Sequence, residues 1–143
     1  MKNLDDITGA IVDTAMKIHI DLAPGLLESV YEMILAKALQ KRGYTVERQK
    51  AITFEYDGIL FEDGFRADLL VEGQVIIELK SVEKLNPVHS KQLLTYMRLM
   101  NLPVGFLMNF GAATLKEGLR RVVNSLPSSA SPRLRVNQNE ANL

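Results

Sequence analysis

The chain has 143 residues, 47% of them hydrophobic, with 17 basic against 17 acidic side chains and no cysteine. That length supports one compact domain with a real core, while the zero net charge removes any global field that would announce nucleic acid, a membrane surface or an acidic partner. The lack of cysteine excludes disulfides, thiolate zinc sites and cysteine nucleophiles and suits a cytoplasmic location. With no long apolar span and no signal-like segment, neither membrane insertion nor export is expected.

Leu4, Ile7, Ile11, Ala15 and Ile18 recur at three- and four-residue spacings and predict an amphipathic helix over residues 4 to 20. Asp21-Leu-Ala-Pro24-Gly25 breaks it. A second helix is expected from about Leu26 to Arg42, with Val30, Met33, Ile34, Lys37 and Ala38 alternating between its buried and solvated sides and Gly43 ending it. Tyr44 to Tyr56 then turns to aromatic and β-branched residues, Asp57-Gly58 reads as a hairpin turn, and Ile59 to Phe61 begins the return. Residues 65 to 71 and 75 to 80 predict the next strand pair. A third helix follows Asn86-Pro87 over about Val88 to Met100, a buried strand over Val104 to Phe110, and a last helix over residues 114 to 124. The domain is expected to occupy residues 1 to 125, and the Ser, Pro, Asn and Gln content from residue 126 to 143 predicts a disordered tail. This element order describes a mixed sheet with helices packed on it, of class α/β bordering on α+β.

Charged side chains interrupt the hairpin at Asp68, Glu78 and Lys80, where apolar ones would be expected. If Glu72-Gly73-Gln74 is a three-residue loop, Val71 faces Val75, Leu69 faces Ile77, and Asp68 lies opposite Glu78. Leu69, Val71, Val75, Ile77 and Leu79 then share one face, and Asp68, Leu70, Ile76, Glu78 and Lys80 the other. A two-residue turn would scatter the charges over both faces. Opposed carboxylates suit a shared divalent cation, magnesium or manganese, completed by water. Without one, a carboxylate is pushed toward its neutral form. Lys80 would point at a water or a phosphate oxygen. The same three residues also describe a solvated face with a weak ion pair, although the apolar run Val75-Ile76-Ile77 suggests a central, doubly buried strand.

Glu28 stands in the first turn of the second helix, where the helix dipole favours a carboxylate. Gln92 and Tyr96 are four apart on one face of the third. His19 reads as a helix C-terminal histidine rather than a ligand. Arg48, Lys50, Arg66, Lys84, Lys91 and Arg98 are candidate phosphate contacts. Lys116, Arg120, Arg121, Arg133 and Arg135 give the C-terminal part a local basic excess.

Together, Gly25-Leu-Leu-Glu28-Ser-Val-Tyr31, Arg66-Ala-Asp68, Glu78-Leu79-Lys80 and Gln92-Leu-Leu-Thr-Tyr96 resemble the GxxExxY protein family, placed within the PD-(D/E)XK nuclease-like superfamily. The resemblance spans about residues 5 to 124. It implies a restriction-endonuclease-like fold, a mixed central β-sheet flanked by helices, and metal-assisted phosphodiester hydrolysis. By this resemblance Asp68 and Glu78 bind the metal, with the Leu79 carbonyl and Glu28 as further ligands, and Lys80 orients or activates water. Gln92 and Tyr96, with Tyr31 and Arg66, support the site or touch the substrate. Ala23 stands where the family often has glycine.

The function expected is a magnesium- or manganese-dependent nuclease, with DNA favoured over RNA. The alternative is a non-catalytic nucleic-acid- or protein-binding module that keeps the fold. A homodimer or a protein partner would complete a substrate surface for which so small and neutral a chain has little room.

Overall fold

The computed structural model describes residues 2–125. The tail expected over residues 126–143 lies outside the described residues. Helix α1 (Leu4–Leu22) starts at Asn3, whose side chain accepts the N–H groups of Asp5 and Asp6, and it buries the expected stripe of Ile7, Ile11, Ala15 and Ile18. Helix α2 (Glu28–Lys41) buries Tyr31, Leu35 and Leu39 at four-residue intervals, with Glu32 and Ala36 beside them. None of Val30, Met33, Ile34, Lys37 and Ala38 is fully buried. Ile34 and Ala38 are partly buried against the core and Val30, Met33 and Lys37 are exposed, so the five do divide between the two sides, while the fully buried stripe runs through Tyr31. At its end Gly43 takes φ 94°, and the N–H groups of Gly43 and Tyr44 return to the carbonyls of Gln40 and Leu39, a Schellman closure.

Strands β1 (Val46–Tyr56), β2 (Ile59–Val71) and β3 (Val75–Lys80) form an antiparallel meander. Asp57 and Gly58 both have positive φ, the backbone of a two-residue hairpin turn. Helix α3 (Pro87–Met100), capped by Asn86, carries the chain across to β4 (Val104–Asn109), which pairs parallel with β3. The sheet runs β1-β2-β3-β4 and ends on a fifth strand, β5 (Leu119–Val123). On one face α1 and α2 bury Ile7, Ile11, Tyr31, Leu35 and Leu39 against Leu69, Ile77, Phe106 and Met108. On the other, α3 places Leu93 and Met97 against Ile52, Leu70, Ile76 and Leu107. The expected α/β architecture of a mixed sheet between helices is therefore the one observed.

Residues 114 to 124 depart from expectation. Only one turn is helical, α4 (Leu115–Gly118), after which β5 (Leu119–Val123) pairs antiparallel with β4. Val122 and Val123 favour extended backbone, and β4, without β5, would be a fully buried strand with an open edge. Tertiary pairing overrides a short helical spacing. At Gly118 an added Cβ would lie 2.3 Å from the Asn109 carbonyl oxygen. Gly118→Ala is therefore expected to destabilise the fold by about 1–3 kcal/mol, read as a lower urea midpoint, and an unchanged midpoint would contradict this packing.

The second strand is also longer than expected, one continuous element from Ile59 rather than two. It pairs with β3 only over Leu69–Val71. The far part of the β1/β2 hairpin therefore projects as an arm. Phe54 stacks on Phe61 at 5.0 Å, and its ring lies over Gly64, where a Cβ would come within 2.2 Å. Tyr56, Ile59, Leu60 and Phe61 are exposed along the arm.

Candidate active site

The β2/β3 loop is the three-residue one, with Val71 opposite Val75, Leu70 opposite Ile76 and Leu69 opposite Ile77. The next pair in this register is Asp68 with Glu78, and there side chains take over from the backbone ladder. The Leu79 N–H donates to Asp68 Oδ2 at 2.9 Å, and the Asp68 N–H donates to Glu78 Oε2 at 3.1 Å. The strands part at the two acids. Each carboxylate is held by the main chain of the opposite strand.

Strict alternation does not hold through this point. Phe65 and Ala67 pack on the α3 side of the sheet, whereas Leu69 and Val71 pack on the α1/α2 side. All four are odd-numbered and would share a face in a regular strand. Strand β1 turns over at the matching place, with Val46 on the α1/α2 side and Ile52 on the α3 side. The residue at the turnover is Gln49, with φ 50°. It is skipped by a ladder that pairs Arg48 with Leu69 and Lys50 with Ala67. Leu70 and Ile76 lie on the expected face, but Asp68 does not stand upright beside them. Its carboxylate reaches sideways, accepting the Leu79 N–H from β3 and Gln49 Nε2 from β1 at 3.2 Å.

Burial first, and then the negative charge of Asp68, pushes the Glu78 carboxyl up to about 8, while the Lys80 ammonium pulls it the other way. Glu78 and Lys80 are both half-buried. Tyr96 stacks on Phe65 at 4.0 Å. Burial, with further contributions from Glu78 and Asp68, raises its phenol pKa. Gln92 is exposed one turn earlier on α3.

The remaining sequence candidates are spread around this centre. Tyr31 is fully buried and stacks on Phe110 at 4.6 Å. Its hydroxyl donates to the Ala23 carbonyl at 2.6 Å and accepts the Leu26 N–H at 3.2 Å. Tyr31 thus supports the turn before α2 from beneath. Ser81, next after Lys80, donates to the Leu26 carbonyl at 2.8 Å and ties that turn to the end of β3. Glu28 is exposed in the first turn of α2. Arg66 is exposed, contacts Asp63 at 3.6 Å and donates to the Gln49 carbonyl at 3.1 Å. Among the other candidate phosphate contacts, Lys50 pairs with Glu47 at 3.0 Å and Arg48 with Glu32 at 3.3 Å. His19 is buried, with Nε2 2.9 Å from the Ala112 carbonyl.

Glu32 was not among the sequence candidates. It is buried one turn after Glu28 and accepts Gln49 Nε2 at 2.8 Å on Oε1 and Arg48 Nε at 3.3 Å on Oε2. Burial is the main cause of its raised carboxyl, and Asp68 adds to the rise. A sequence signal existed. Glu32 lies four and seven residues before Ala36 and Leu39, on the buried stripe, where an acid is rare without a partner.

Among the described residues no three His, Cys, Asp or Glu side chains converge as a ready metal cage. The donor set at the strand opening is the two carboxylates of Asp68 and Glu78. Hard oxygen donors in that number suit magnesium or manganese, which retain several waters. The Glu78 carboxyl fits the same reading, because a cation would offset the second negative charge that burial and Asp68 resist.

A family model of the PD-(D/E)XK nuclease superfamily matches residues 5–122. The chain belongs to that superfamily. Comparisons with curated proteins and with solved structures returned no match. PD-(D/E)XK nucleases generally use divalent metals and act on nucleic acid, and the match runs from α1 into β5. Among the described residues no helix is long and apolar enough to cross a membrane.

The turn that Tyr31 holds carries one local strain in this PD-(D/E)XK chain. Ala23 has φ 61° and ψ 178°, a region favourable essentially to glycine alone. Ala23→Gly is expected to raise stability by about 1 kcal/mol, seen as a higher thermal midpoint. A lower midpoint would show that the Ala23 methyl contributes more than its backbone costs.

Proposed function

We propose that this protein is a divalent-metal-dependent nuclease of the GxxExxY type that hydrolyses phosphodiester bonds, with DNA as the favoured substrate and the cytoplasm as its location. The observation that carries the reading is the reciprocal Asp68–Glu78 arrangement at the opening of β2 and β3, with Lys80 two residues beyond on the same strand. A bound magnesium or manganese ion supplies positive charge against the extra negative charge of the transition state and makes water more acidic. Asp68 and Glu78 would hold that ion, with the Leu79 carbonyl and Glu28, directly or through water, as further ligands. The Leu79 N–H fixes one oxygen of Asp68, so the carboxylate keeps its orientation without substrate. Lys80 holds its ammonium toward the attacking water and the phosphate oxygens, aligning the nucleophile with phosphorus. Tyr96 and Gln92 line the α3 side of the substrate path, and Arg66 contacts phosphate at its edge.

The deciding experiment incubates the purified protein with single-stranded, duplex and plasmid DNA and with RNA, in magnesium or manganese and in chelator. Metal-dependent cleavage, strongest on DNA, is the expected result. Intact nucleic acid under every metal condition would overturn the catalytic reading.

One observation favours a partner-completed form of the enzyme. The arm exposes Tyr56, Ile59, Leu60 and Phe61 close together, an apolar tip suited to a homodimer or protein contact. Light scattering that gives twice the monomer mass, reduced to one by Leu60→Asp, would support the homodimer. A monomer at all concentrations would exclude it.

A further inference from the structure

The geometry points to Gln49 as a positioning residue: its side-chain amide, held by the buried carboxylate of Glu32, clamps the Asp68 carboxylate in the orientation that receives a divalent cation. This rests on the metal-dependent reading above but assigns residues which that reading does not use.

Three observations carry it. Gln49 Nε2 lies 2.8 Å from Glu32 Oε1 and 3.2 Å from Asp68 Oδ1. A primary amide nitrogen has two hydrogens, one for each carboxylate. The amide therefore separates two acids that would otherwise repel, and Glu32 fixes which way it faces. Second, the other Asp68 oxygen accepts the Leu79 N–H, so the carboxylate is gripped from both neighbouring strands and its plane is set. Third, Gln49 sits at φ 50° in the middle of a strand. A glutamine has no local reason to adopt this left-handed backbone, and strain of this kind persists where the surroundings over-determine it. Arg66 braces the strained peptide by donating to the Gln49 carbonyl, and Arg48 holds the second oxygen of Glu32. The turnover in β1 is what aims the Gln49 side chain at Asp68. A regular strand would stand the Gln49 side chain off one face of the sheet.

The consequence is a preorganised ligand. Groups that orient a metal-ligating carboxylate typically alter metal affinity by about 10–100-fold.

Gln49→Gly tests this directly. Glycine relieves the left-handed backbone while deleting the amide, so the variant is expected to fold, checked by circular dichroism. Manganese affinity, measured by calorimetry on the protein without nucleic acid, is expected to fall at least tenfold. In cleavage assays kcat should fall while KM for the nucleic acid stays within about threefold, since Asp68 is disordered but the substrate path is intact. Glu32→Ala, which frees the amide to rotate, should weaken manganese binding in the same direction. A readout independent of metal separates this inference from the nuclease reading. In the metal-free wild type, the Gln49 side-chain amide protons should resonate apart from those of exposed glutamines in nitrogen-15 spectra, and Glu32→Ala should return them to the free position. Free-amide shifts in the wild type, or Gln49→Gly with wild-type manganese affinity, would overturn the clamp. A shifted Gln49 amide in a protein that cleaves nothing would leave the clamp standing and sink the nuclease reading.

Discussion

Asp68→Asn is expected to reduce phosphodiester cleavage by about 10³-fold or more, a loss of roughly 4 kcal/mol in transition-state stabilisation. The substitution keeps an oxygen to accept the Leu79 N–H and removes the charge, while the oxygen that accepts the Gln49 amide becomes an NH2 group. Asp68→Ala is the poorer probe, because it strips the acceptor from both that N–H and the Gln49 amide and leaves polar groups unpaired. Lys80→Ala is expected to lower the rate by about 10²–10⁴-fold while leaving metal binding nearly intact, since the role proposed for the lysine is on the nucleophile and not on the cation. Single-turnover assays at saturating magnesium, with far-ultraviolet circular dichroism as a fold control, distinguish the two defects. Cleavage by both variants at the wild-type rate would remove these residues from the chemistry.

The second large effect is on stability against pH. The Glu78 carboxyl is pushed up to about 8 in the folded protein from an ordinary value of 4.5. Below the ordinary value the group is neutral in both states and has no effect on folding. As pH rises from there, the unfolded chain ionises while the folded one retains its proton, so folding becomes less favourable by up to about 1.4 kcal/mol per pH unit. The loss saturates once the pH passes the folded value. Metal-free protein is therefore expected to melt at a progressively lower temperature between pH 5 and 8, and magnesium should restore more stability at the upper end than at the lower. Glu78→Gln should flatten that slope and abolish the magnesium shift. Parallel pH profiles for the wild type and Glu78→Gln would show that Glu78 is not the group responsible.

The register around the acids was legible in the sequence because it depends on local chemistry. A three-residue loop with Gly73 at positive φ, and apolar residues of matching parity on either side, leave one pairing that buries them. The α3 helix was legible for a similar reason, since Asn86-Pro87 is a strong start. The break at Gln49 was not. Glutamine carries no preference for left-handed backbone, so nothing in Glu47-Arg48-Gln49-Lys50 distinguishes a turnover from a regular strand. Glu32 was obscured by Glu28, which fits the motif more visibly and sits one turn earlier on the same helix. Strand β5 was missed because its reason to be extended lies in the open edge of β4, which no local window contains. The sequence thus carries the register that sets Asp68 opposite Glu78, and the tertiary structure adds what grips the two acids.

The interruption of the β1/β2 ladder at Gln49 and Asp68 is also expected to divide the β1/β2 hairpin into two cooperative units. On one side, Val46–Arg48 and Leu69–Val71 are locked into a sheet covered by α1 and α2. On the other, the pairs from Lys50 and Ala67 outward to Tyr56 and Ile59 make up the arm, which has no third strand beside it. Backbone amides of the arm are expected to exchange with solvent through local opening, and those of the sheet interior only through global unfolding. The acids stand on the seam between these foldons. The inner end of the arm is anchored on α3 through Ile52, Phe65 and Ala67, and a ligand that bridges Asp68 and Glu78 is expected to add a second anchor that couples the opening of the arm to the stability of the core.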